Sequence, residues 1–123
     1  LIEHNGELYY VCYSGKLKQN GYHYITKEKS NGLLTPGAYY FDDDCKATKE
    51  IKWNEELSVY NYYIGNVLQK NNGLIYYNGE YFFVCYSGKL KQNGYQEIND
   101  SNNNGLSVSG SYYFDNDCKL VAQ

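Results

Sequence analysis

The sequence lacks several features that define common protein classes. It contains no Met, no Arg, one Pro and one Trp. No apolar run approaches the roughly 20 residues that a membrane-spanning helix needs, so we expect no membrane insertion. No basic segment followed by an apolar one opens the chain. Because Leu1 already falls within a repeated pattern, we expect the chain to be an excised piece whose targeting segments lie elsewhere.

A predominance of one charge is also missing. The formal net charge is −3, and the 11 basic and 14 acidic residues are interspersed. The chain therefore has neither the basic stripe that nucleic-acid binding requires nor an acidic tail, and we expect no nucleic-acid partner. Bulky aliphatic residues are too few for one thick core, whereas the 17 Tyr residues arrive in short bursts between polar residues. This pattern favours a thin, repetitive architecture.

A duplication organises the chain. Residues 1–50 align with residues 74–123 without a gap, with 29 identities in 50 positions and a period of 73 residues. We therefore divide the single array 1–123 into a first long-repeat copy, 1–50, a middle hairpin or connector, 51–73, and a second copy, 74–123.

A shorter unit recurs within the long one. Each unit has an aromatic doublet, a polar turn and a returning strand, which together predict a β-hairpin. One isolated hairpin is marginal in water, so each must pack on the next. We predict an all-β fold, a β-hairpin solenoid of tandem repeats, in which residues 49–60 are a connector and the start of the middle hairpin. The doublets begin at Tyr9, Tyr39, Tyr62, Phe82 and Tyr112.

These motifs resemble a known family of repeats. Residues 39–46, YYFDDDCK, residues 9–16, YYVCYSGK, and the following Gly21-Tyr22 pair are similar to the cell-wall-binding and glucan-binding repeats. That family also forms the choline-binding modules of bacterial surface proteins and the receptor-binding repeats of large clostridial toxins. The resemblance spans the whole chain. It implies a secreted, non-catalytic β-hairpin solenoid that holds a protein on a polysaccharide or teichoic-acid surface, at the bacterial cell surface.

The residue before each doublet departs from the choline-binding type. In choline-binding members an additional aromatic stands there and helps to form a cage for the quaternary ammonium. Only one of the five matching residues is aromatic here, so the resemblance fits the glucan or toxin type better. The matching residues are Leu8, Ala38, Asn61, Tyr81 and Ser111.

Each long-repeat copy contains two cysteines 33 residues apart, Cys12 with Cys45 and Cys85 with Cys118. Four cysteines allow three pairings, and the duplication favours pairing within each copy. We expect these disulfides to brace neighbouring hairpins, each by about 3–4 kcal/mol, and to indicate an oxidising, extracellular location. Free thiols, disulfides between chains and a four-thiolate zinc site are the alternatives, although no Cys pair has the close spacing of structural zinc sites.

No catalytic or metal-binding pattern recurs in the two copies. His4 and His23 are not repeated in the second copy, which is typical of surface residues. The acidic runs 42–44 and 115–117 lack the spaced ligands and closing Glu of a calcium loop, and turn formation explains them. We therefore predict no enzyme activity, no metal ion and no cofactor.

The aromatic residues carry the predicted function. Successive strand residues face opposite sides, so one ring of each doublet is expected to pack between hairpins while the other reaches a groove. Such rings stack on the flat C–H faces of sugars, beside Asn, Gln and Asp side chains that bind hydroxyls. For every candidate the alternative is a structural role in the core. The candidates are Tyr10, Tyr22, Tyr40, Trp53, Tyr63, Phe83, Tyr95 and Tyr113.

Two functions compete at this point. In the first, a carbohydrate-binding or cell-wall-anchoring module, several weak sites act together on a polysaccharide or cell-surface glycan. The receptor-binding repeats of a toxin are a variant of it. In the second, disulfide-braced Tyr-rich hairpins associate end to end into an extracellular fibre or appendage. A binder leaves rings exposed beside polar side chains, whereas a fibre buries them and presents complementary chain ends.

Overall fold

The computed structural model describes residues 1–122, which form short β-strands and one helical turn. The predicted all-β class is confirmed. No helix in this described part is long and apolar enough to cross a membrane. In chain order the elements are β1 (Ile2–His4), β2 (Glu7–Tyr9), β3 (Gly21–Ile25), α1 (Lys27–Ser30), β4 (Gly37–Phe41), β5 (Lys49–Asn54), β6 (Val59–Ile64), β7 (Val67–Leu68), β8 (Gly73–Tyr77), β9 (Glu80–Val84), β10 (Gly94–Ile98), β11 (Gly110–Phe114) and β12 (Leu120–Ala122).

Each strand pairs with its neighbour in sequence. The sheets are β1-β2, β3-β4, β5-β6-β7, β8-β9 and β10-β11-β12, and the paired strands β1-β2, β3-β4, β8-β9 and β10-β11 are antiparallel hairpins. The predicted hairpin unit is therefore confirmed. The stretch 49–60, interpreted as a connector leading into the middle hairpin, is itself the strand β5 and the start of β6.

Two of the hairpins close through Asn-Gly turns. Asn5 and Gly6 have φ angles of 52° and 80°, and Asn78 and Gly79 have φ angles of 49° and 81°. Positive φ at both central residues defines the type I′ turn, whose twist matches that of the flanking strands. Asn and Gly adopt this backbone at the lowest cost, so the local sequence fixes the register of β1-β2 and of β8-β9.

The polar turn after the doublet is closed by backbone and carboxylate hydrogen bonds. The N–H of Asp42 donates to the carbonyl of Lys46 (2.9 Å), and the N–H of Cys45 donates to the carbonyl of Asp42 (3.0 Å). The Asp42 carboxylate accepts from the N–H groups of Asp44 (2.9 Å) and Lys46 (3.0 Å). Asp115 closes the matching turn of the second copy in the same way.

The predicted disulfide bracing is wrong. Cys12, Cys45 and Cys85 are half-buried free thiols, and Cys118 is a buried one. The turns that carry them are already closed by hydrogen bonds. Burial, with Asp115 and Asp117 nearby, raises the pKa of Cys118 to about 12, and burial also raises the pKa of Cys85. Burial thus disfavours the thiolate, the form that reacts, at the buried Cys118 and at the half-buried Cys85. The cysteines therefore give no support to an oxidising location.

The chain divides into two compact units. The first comprises Leu1–Glu50 and Tyr63–Val67, and the second comprises Ile51–Tyr62 and Leu68–Gln123. The second unit has a core of five buried side chains that come from β8, β9, β10 and β11. They are Leu74, Phe83, Ile98, Tyr112 and Phe114.

The first unit buries the matching positions of the first long-repeat copy. Leu1, Tyr10, Ile25, Tyr39 and Phe41 are all less than a tenth exposed. Each repeat thus uses the same positions for its apolar interior, although Tyr10 stands where the second copy has Phe83. The duplication is therefore a duplication of packing as well as of sequence.

Hydrogen bonds correct the alignment of the middle hairpin by one residue. In three doublets the backbone carbonyl of the second aromatic residue accepts a hydrogen bond from a backbone N–H of the returning strand. Examples are the Lys18 N–H to the Tyr10 carbonyl (2.8 Å) and the Lys91 N–H to the Phe83 carbonyl (2.9 Å). In the middle hairpin the matching bond runs from Gln69 to Tyr62 (2.8 Å). Tyr62 is therefore the second member of its doublet rather than the first, and Asn61, which is buried, takes the place of the first ring.

Candidate functional site

The β3-β4 hairpin has one buried and one open face. Tyr22 and Tyr40 lie directly opposite each other across the two strands and on the same side, because side chains alternate along a strand. Tyr39 and Phe41 point the other way and are fully buried. Tyr24, two residues along from Tyr22, shares the open side. This face presents three tyrosines.

Tyr22 is held in place while its ring stays accessible. The rings of Tyr22 and Tyr40 meet edge to face, with centroids 5.1 Å apart and an interplanar angle of 67°. The Asn66 side-chain amide donates to the Tyr22 hydroxyl (3.0 Å). Tyr22 is 56% exposed and Tyr24 is 60% exposed. The result is a partly pre-ordered aromatic surface next to an amide, a combination suited to a flat ligand that also carries hydroxyls.

The second copy repeats this arrangement on β10 and β11. Tyr95 lies opposite Tyr113, with ring centroids 5.1 Å apart and an interplanar angle of 68°. Tyr95 is 63% exposed. Glu97 takes the position of Tyr24, so the second surface is smaller and acidic at one end.

Two further exposed pairs stand on the middle hairpin and on β8-β9. Trp53 packs edge to face on Tyr60, with centroids 4.8 Å apart, and its indole N–H donates to a carboxylate oxygen of Glu55 (2.8 Å). Tyr76 packs on Tyr81 across β8-β9, with centroids 4.9 Å apart. Trp53 and Tyr76 are about half exposed.

The sequence-based selection missed the Tyr76–Tyr81 pair. It took the second ring of each doublet and added Tyr22, Trp53 and Tyr95. Tyr81 comes before its doublet and Tyr76 lies on the partner strand. The aromatic character of Tyr81 at the pre-doublet position was the available signal. The register of the Asn-Gly hairpin, which pairs residues 76 and 81, would have added Tyr76.

Two predicted candidates do not reach the surface. Tyr10 and Phe83 are each 6% exposed. The ring of Tyr10 stacks on His23 with centroids 4.1 Å apart, and Phe83 packs near Phe114 with centroids 6.4 Å apart. Other side chains therefore cover the two rings that strand alternation alone predicts to be exposed. Tyr63 is half-buried.

The pre-doublet positions also change with the corrected register. Tyr60, rather than Asn61, stands before the middle doublet, because its carbonyl accepts from Leu90 (2.9 Å) as that of Leu8 accepts from Ala47 (2.9 Å). Two of these positions are therefore aromatic, Tyr60 and Tyr81, instead of one. The aromatic at residue 60 is the one that meets Trp53.

The histidines and the acidic run 42–44 serve local structure. His23 is held against Tyr10, and burial, with Lys18, Lys29 and the chain amino group, lowers its pKa below the usual value. His4 is exposed and bonded to the Asn5 side chain (3.3 Å). The carboxylates of the acidic run lie within 4.8 Å of one another, and one of them closes its own turn.

Comparisons with known proteins give structural neighbours only. No protein-family model matches the sequence, and no curated protein matches it. A structure of alternansucrase in complex with isomaltotriose is 18% identical, with a TM-score of 0.47, and the match covers 94% of this chain and 8% of that one. Choline binding protein F from Streptococcus pneumoniae, with a peptidoglycan analogue, is 17% identical, with a TM-score of 0.40, covering 98% and 39%.

A third neighbour is the modular autolysin LytC from Streptococcus pneumoniae, which is 16% identical, with a TM-score of 0.36, covering 92% of this chain and 27% of that one. This chain thus spans well under half the length of each of these neighbours. The sequence resemblance names choline-binding proteins, and one of these neighbours is a choline binding protein.

Proposed function

We propose that this chain is a non-catalytic carbohydrate-binding module of a secreted bacterial surface protein, and that its exposed aromatic pairs stack on sugar rings. The main support for this proposal is the duplicated pair, Tyr22 with Tyr40 and Tyr95 with Tyr113. The distance between ring centroids is the same in both copies, and the interplanar angles differ by one degree. In each pair one ring is more than half exposed. A ring that served only the core would be covered, as Tyr39 and Phe41 are.

Two weak sites on one chain suit a polymeric ligand. A polysaccharide that contacts both tyrosine surfaces gains affinity through effective concentration, without any single tight site. Oligosaccharides such as isomaltotriose, and cell-wall polysaccharide, are the ligands that this proposal names. The polar side chains near Tyr22 and Tyr95, Asn66 and Glu97 respectively, supply hydrogen-bonding groups for sugar hydroxyls.

The test is a titration of the protein with isomaltotriose and with cell-wall polysaccharide, followed by NMR chemical shifts. We expect Tyr22→Ala and Tyr95→Ala each to weaken binding about five- to tenfold, because an aromatic contact contributes about 1–1.5 kcal/mol. Tyr13→Ala is the matched control, since this tyrosine is fully exposed on a turn outside both pairs. Equal losses for Tyr13→Ala and Tyr22→Ala, or no binding at all, would refute the proposal.

The Trp53 site favours a second candidate ligand, an organic cation such as choline. Trp53 and Tyr60 offer two π faces, and Glu55 adds a carboxylate beside them. Trp53 is the one tryptophan of the chain, so its fluorescence reports this site alone. We expect choline to change the emission and Tyr60→Ala to abolish the change. A change that survives in Tyr60→Ala would show that Tyr60 contributes nothing to cation binding and would refute this two-ring site.

We propose further that the hairpins stack as a solenoid. The supporting contacts lie within each unit, where Ala47 bonds to the carbonyl of Leu8 and Leu90 to that of Tyr60. A solenoid continues this stacking along the whole chain. Small-angle scattering tests it, because an elongated rod and a pair of freely jointed units give different distance distributions.

A further inference from the structure

The two tyrosine surfaces share one aromatic pair and differ in the residue beside it. The pairs of the two copies have the same centroid distance, 5.1 Å. Two residues after the exposed ring of the pair, Tyr22 or Tyr95, the strand carries Tyr24 in the first copy and Glu97 in the second, and both are exposed. Side chains at i and i+2 point the same way, about 6.8 Å apart along a strand, so each of these residues borders the exposed ring.

A second carboxylate lies at the same end of the second surface. Glu97 pairs with Ser111 across β10 and β11. The Asp100 carboxylate accepts a hydrogen bond from the hydroxyl of Ser109 (3.3 Å), which stands two residues before Ser111 in the chain. All four of these side chains are exposed. Beside its aromatic pair the second surface therefore offers two carboxylates and two hydroxyls.

No basic side chain neutralises these two carboxylates. Within residues 1–122 neither Glu97 nor Asp100 has a Lys or His nitrogen within 4.0 Å. Lys91 lies beside β10 on its opposite face, because its ammonium nitrogen is 3.5 Å from the position that a Cβ of Gly94 would take, and residues 94 and 95 point to opposite sides. Both negative charges are therefore available to a ligand.

The first copy has the opposite charge in the matching stretch. Residues 97–102 contain two acidic residues and no basic one, whereas the matching residues 24–29 contain two lysines and one glutamate. Lys27 takes the position of Asp100 and is exposed. Across the strands from Tyr24 stands Ala38 rather than a serine. The border of the first surface is thus aromatic and uncharged, and basic residues follow it.

We propose that the second surface is a subsite for an amino sugar with a free ammonium group, whereas the first surface takes neutral sugars. This inference rests on the proposed function and specifies the ligand class at one of its two surfaces. A sugar ring stacked on Tyr95 directs its substituents outward from the ring, and an ammonium group there can make a charge-assisted hydrogen bond to Glu97. Ser111 supplies a hydroxyl for the sugar hydroxyls, which a simple organic cation lacks.

The test compares a glucosamine trimer with its N-acetylated form at about pH 7, where carboxylates are charged and an aliphatic amine is largely protonated. The NMR signals of Tyr22 and Tyr95 report the two surfaces separately. We expect the glucosamine trimer to bind at Tyr95 about three- to tenfold more tightly than the N-acetylated trimer, since exposed ion pairs contribute modestly. No such preference is expected at Tyr22. Added NaCl at about 0.5 M should remove most of the preference, because it screens exposed charges.

Variants assign the preference to its carboxylates. Glu97→Gln is expected to reduce the preference at Tyr95 by about two- to threefold and to leave the binding of the N-acetylated trimer unchanged, which a structural role of Glu97 would not do. Tyr24→Glu should create a preference for the glucosamine trimer at Tyr22. Glu3→Gln is the matched control and should behave as the wild type, because Glu3 is an exposed strand glutamate outside both surfaces. Circular dichroism checks that each variant folds.

The outcomes separate this inference from sugar binding itself. If the N-acetylated trimer binds at Tyr95 as tightly as the glucosamine trimer or more tightly, sugar binding stands and the inference is overturned. Choline is the third probe: binding at Tyr95 as tight as that of the glucosamine trimer would show a cation site without sugar recognition, which overturns the inference as well. If neither trimer nor isomaltotriose shifts the signals of Tyr22 or Tyr95, the proposed function fails, and this inference fails with it.

Discussion

At the scale of single residues, two cysteines occupy positions that other turns of this chain give to glycine. Cys45 and Cys118 have φ angles of 68° and 66°, and the matching residues of the other long turns are Gly15 and Gly88. A side chain at left-handed φ costs about 1–2 kcal/mol. The chain therefore carries backbone strain in two turns, which the bonds from Asp42 and Asp115 hold in place.

We expect Cys45→Gly to be more stable than Cys45→Ala by about 1 kcal/mol, because alanine keeps the strained left-handed backbone and glycine removes it. Urea unfolding of the two variants measures the difference. Cys12 provides the control, since its φ is negative: there the alanine variant should be the more stable one. The same order of stability at both positions would contradict this explanation.

His23 makes folding sensitive to pH. Burial and the nearby cations hold the pKa of His23 below its usual value, so the unfolded chain binds a proton more readily than the folded one. The contribution of neutral His23 to the free energy of unfolding is complete above the unfolded pKa of about 6.5, and it is lost as the pH falls below that value.

The variant His23→Gln, which copies Gln96 of the second copy, removes this dependence. We expect the stability lost between about pH 7.5 and about pH 5 to be smaller in His23→Gln than in the wild type, as measured by urea unfolding at both pH values. An equal loss in the two proteins would assign the pH dependence to other groups.

At the scale of elements, a close backbone approach joins the middle hairpin to β4 within the first unit. The N–H of Tyr40 donates to the carbonyl of Gly65 (3.0 Å). Gly65 has a φ of 56°, and a Cβ there would lie 2.8 Å from the Cβ of Tyr39 and 2.8 Å from the nitrogen of Tyr40. Only glycine fits, both in backbone conformation and in space.

Gly65→Ala is expected to destabilise the protein by more than about 2 kcal/mol, since it adds a collision with β4 to the strain of left-handed φ. Gly6→Ala is the control: its φ is 80°, but a Cβ there meets nothing within 4 Å, so strain of about 1 kcal/mol remains alone. Thermal unfolding compares the two. Similar losses of stability in the two variants would show that Tyr39 and Tyr40 move aside at little energetic cost.

At the scale of the whole molecule, identical residues differ in energetic value between the two copies. Leu90 is buried by the middle hairpin, whereas Leu17, in the same sequence, is 39% exposed. We expect Leu90→Ala to cost about 2–5 kcal/mol and Leu17→Ala less than about 1 kcal/mol, because only the first leaves a cavity. Chemical denaturation gives both values, and equal costs would mean that the two turns have the same surroundings in solution.

Local chemistry determined much of this protein in advance. The hairpins, their Asn-Gly turns, the carboxylate-closed turns and the exposed positions of Tyr22 and Tyr95 follow from residue types and strand alternation, which act over a few residues. A duplication repeats these local rules, so one copy predicts the other.

Tertiary structure decided what lies against each hairpin. It buried Tyr10 and Phe83, shifted the middle doublet so that Asn61 replaces a ring, left four cysteines as free thiols and paired Tyr76 with Tyr81. None of these outcomes is local, because each depends on contacts between hairpins or between strands. Burial is a property of the neighbour, which is why Leu17 and Leu90 share a sequence and not an environment.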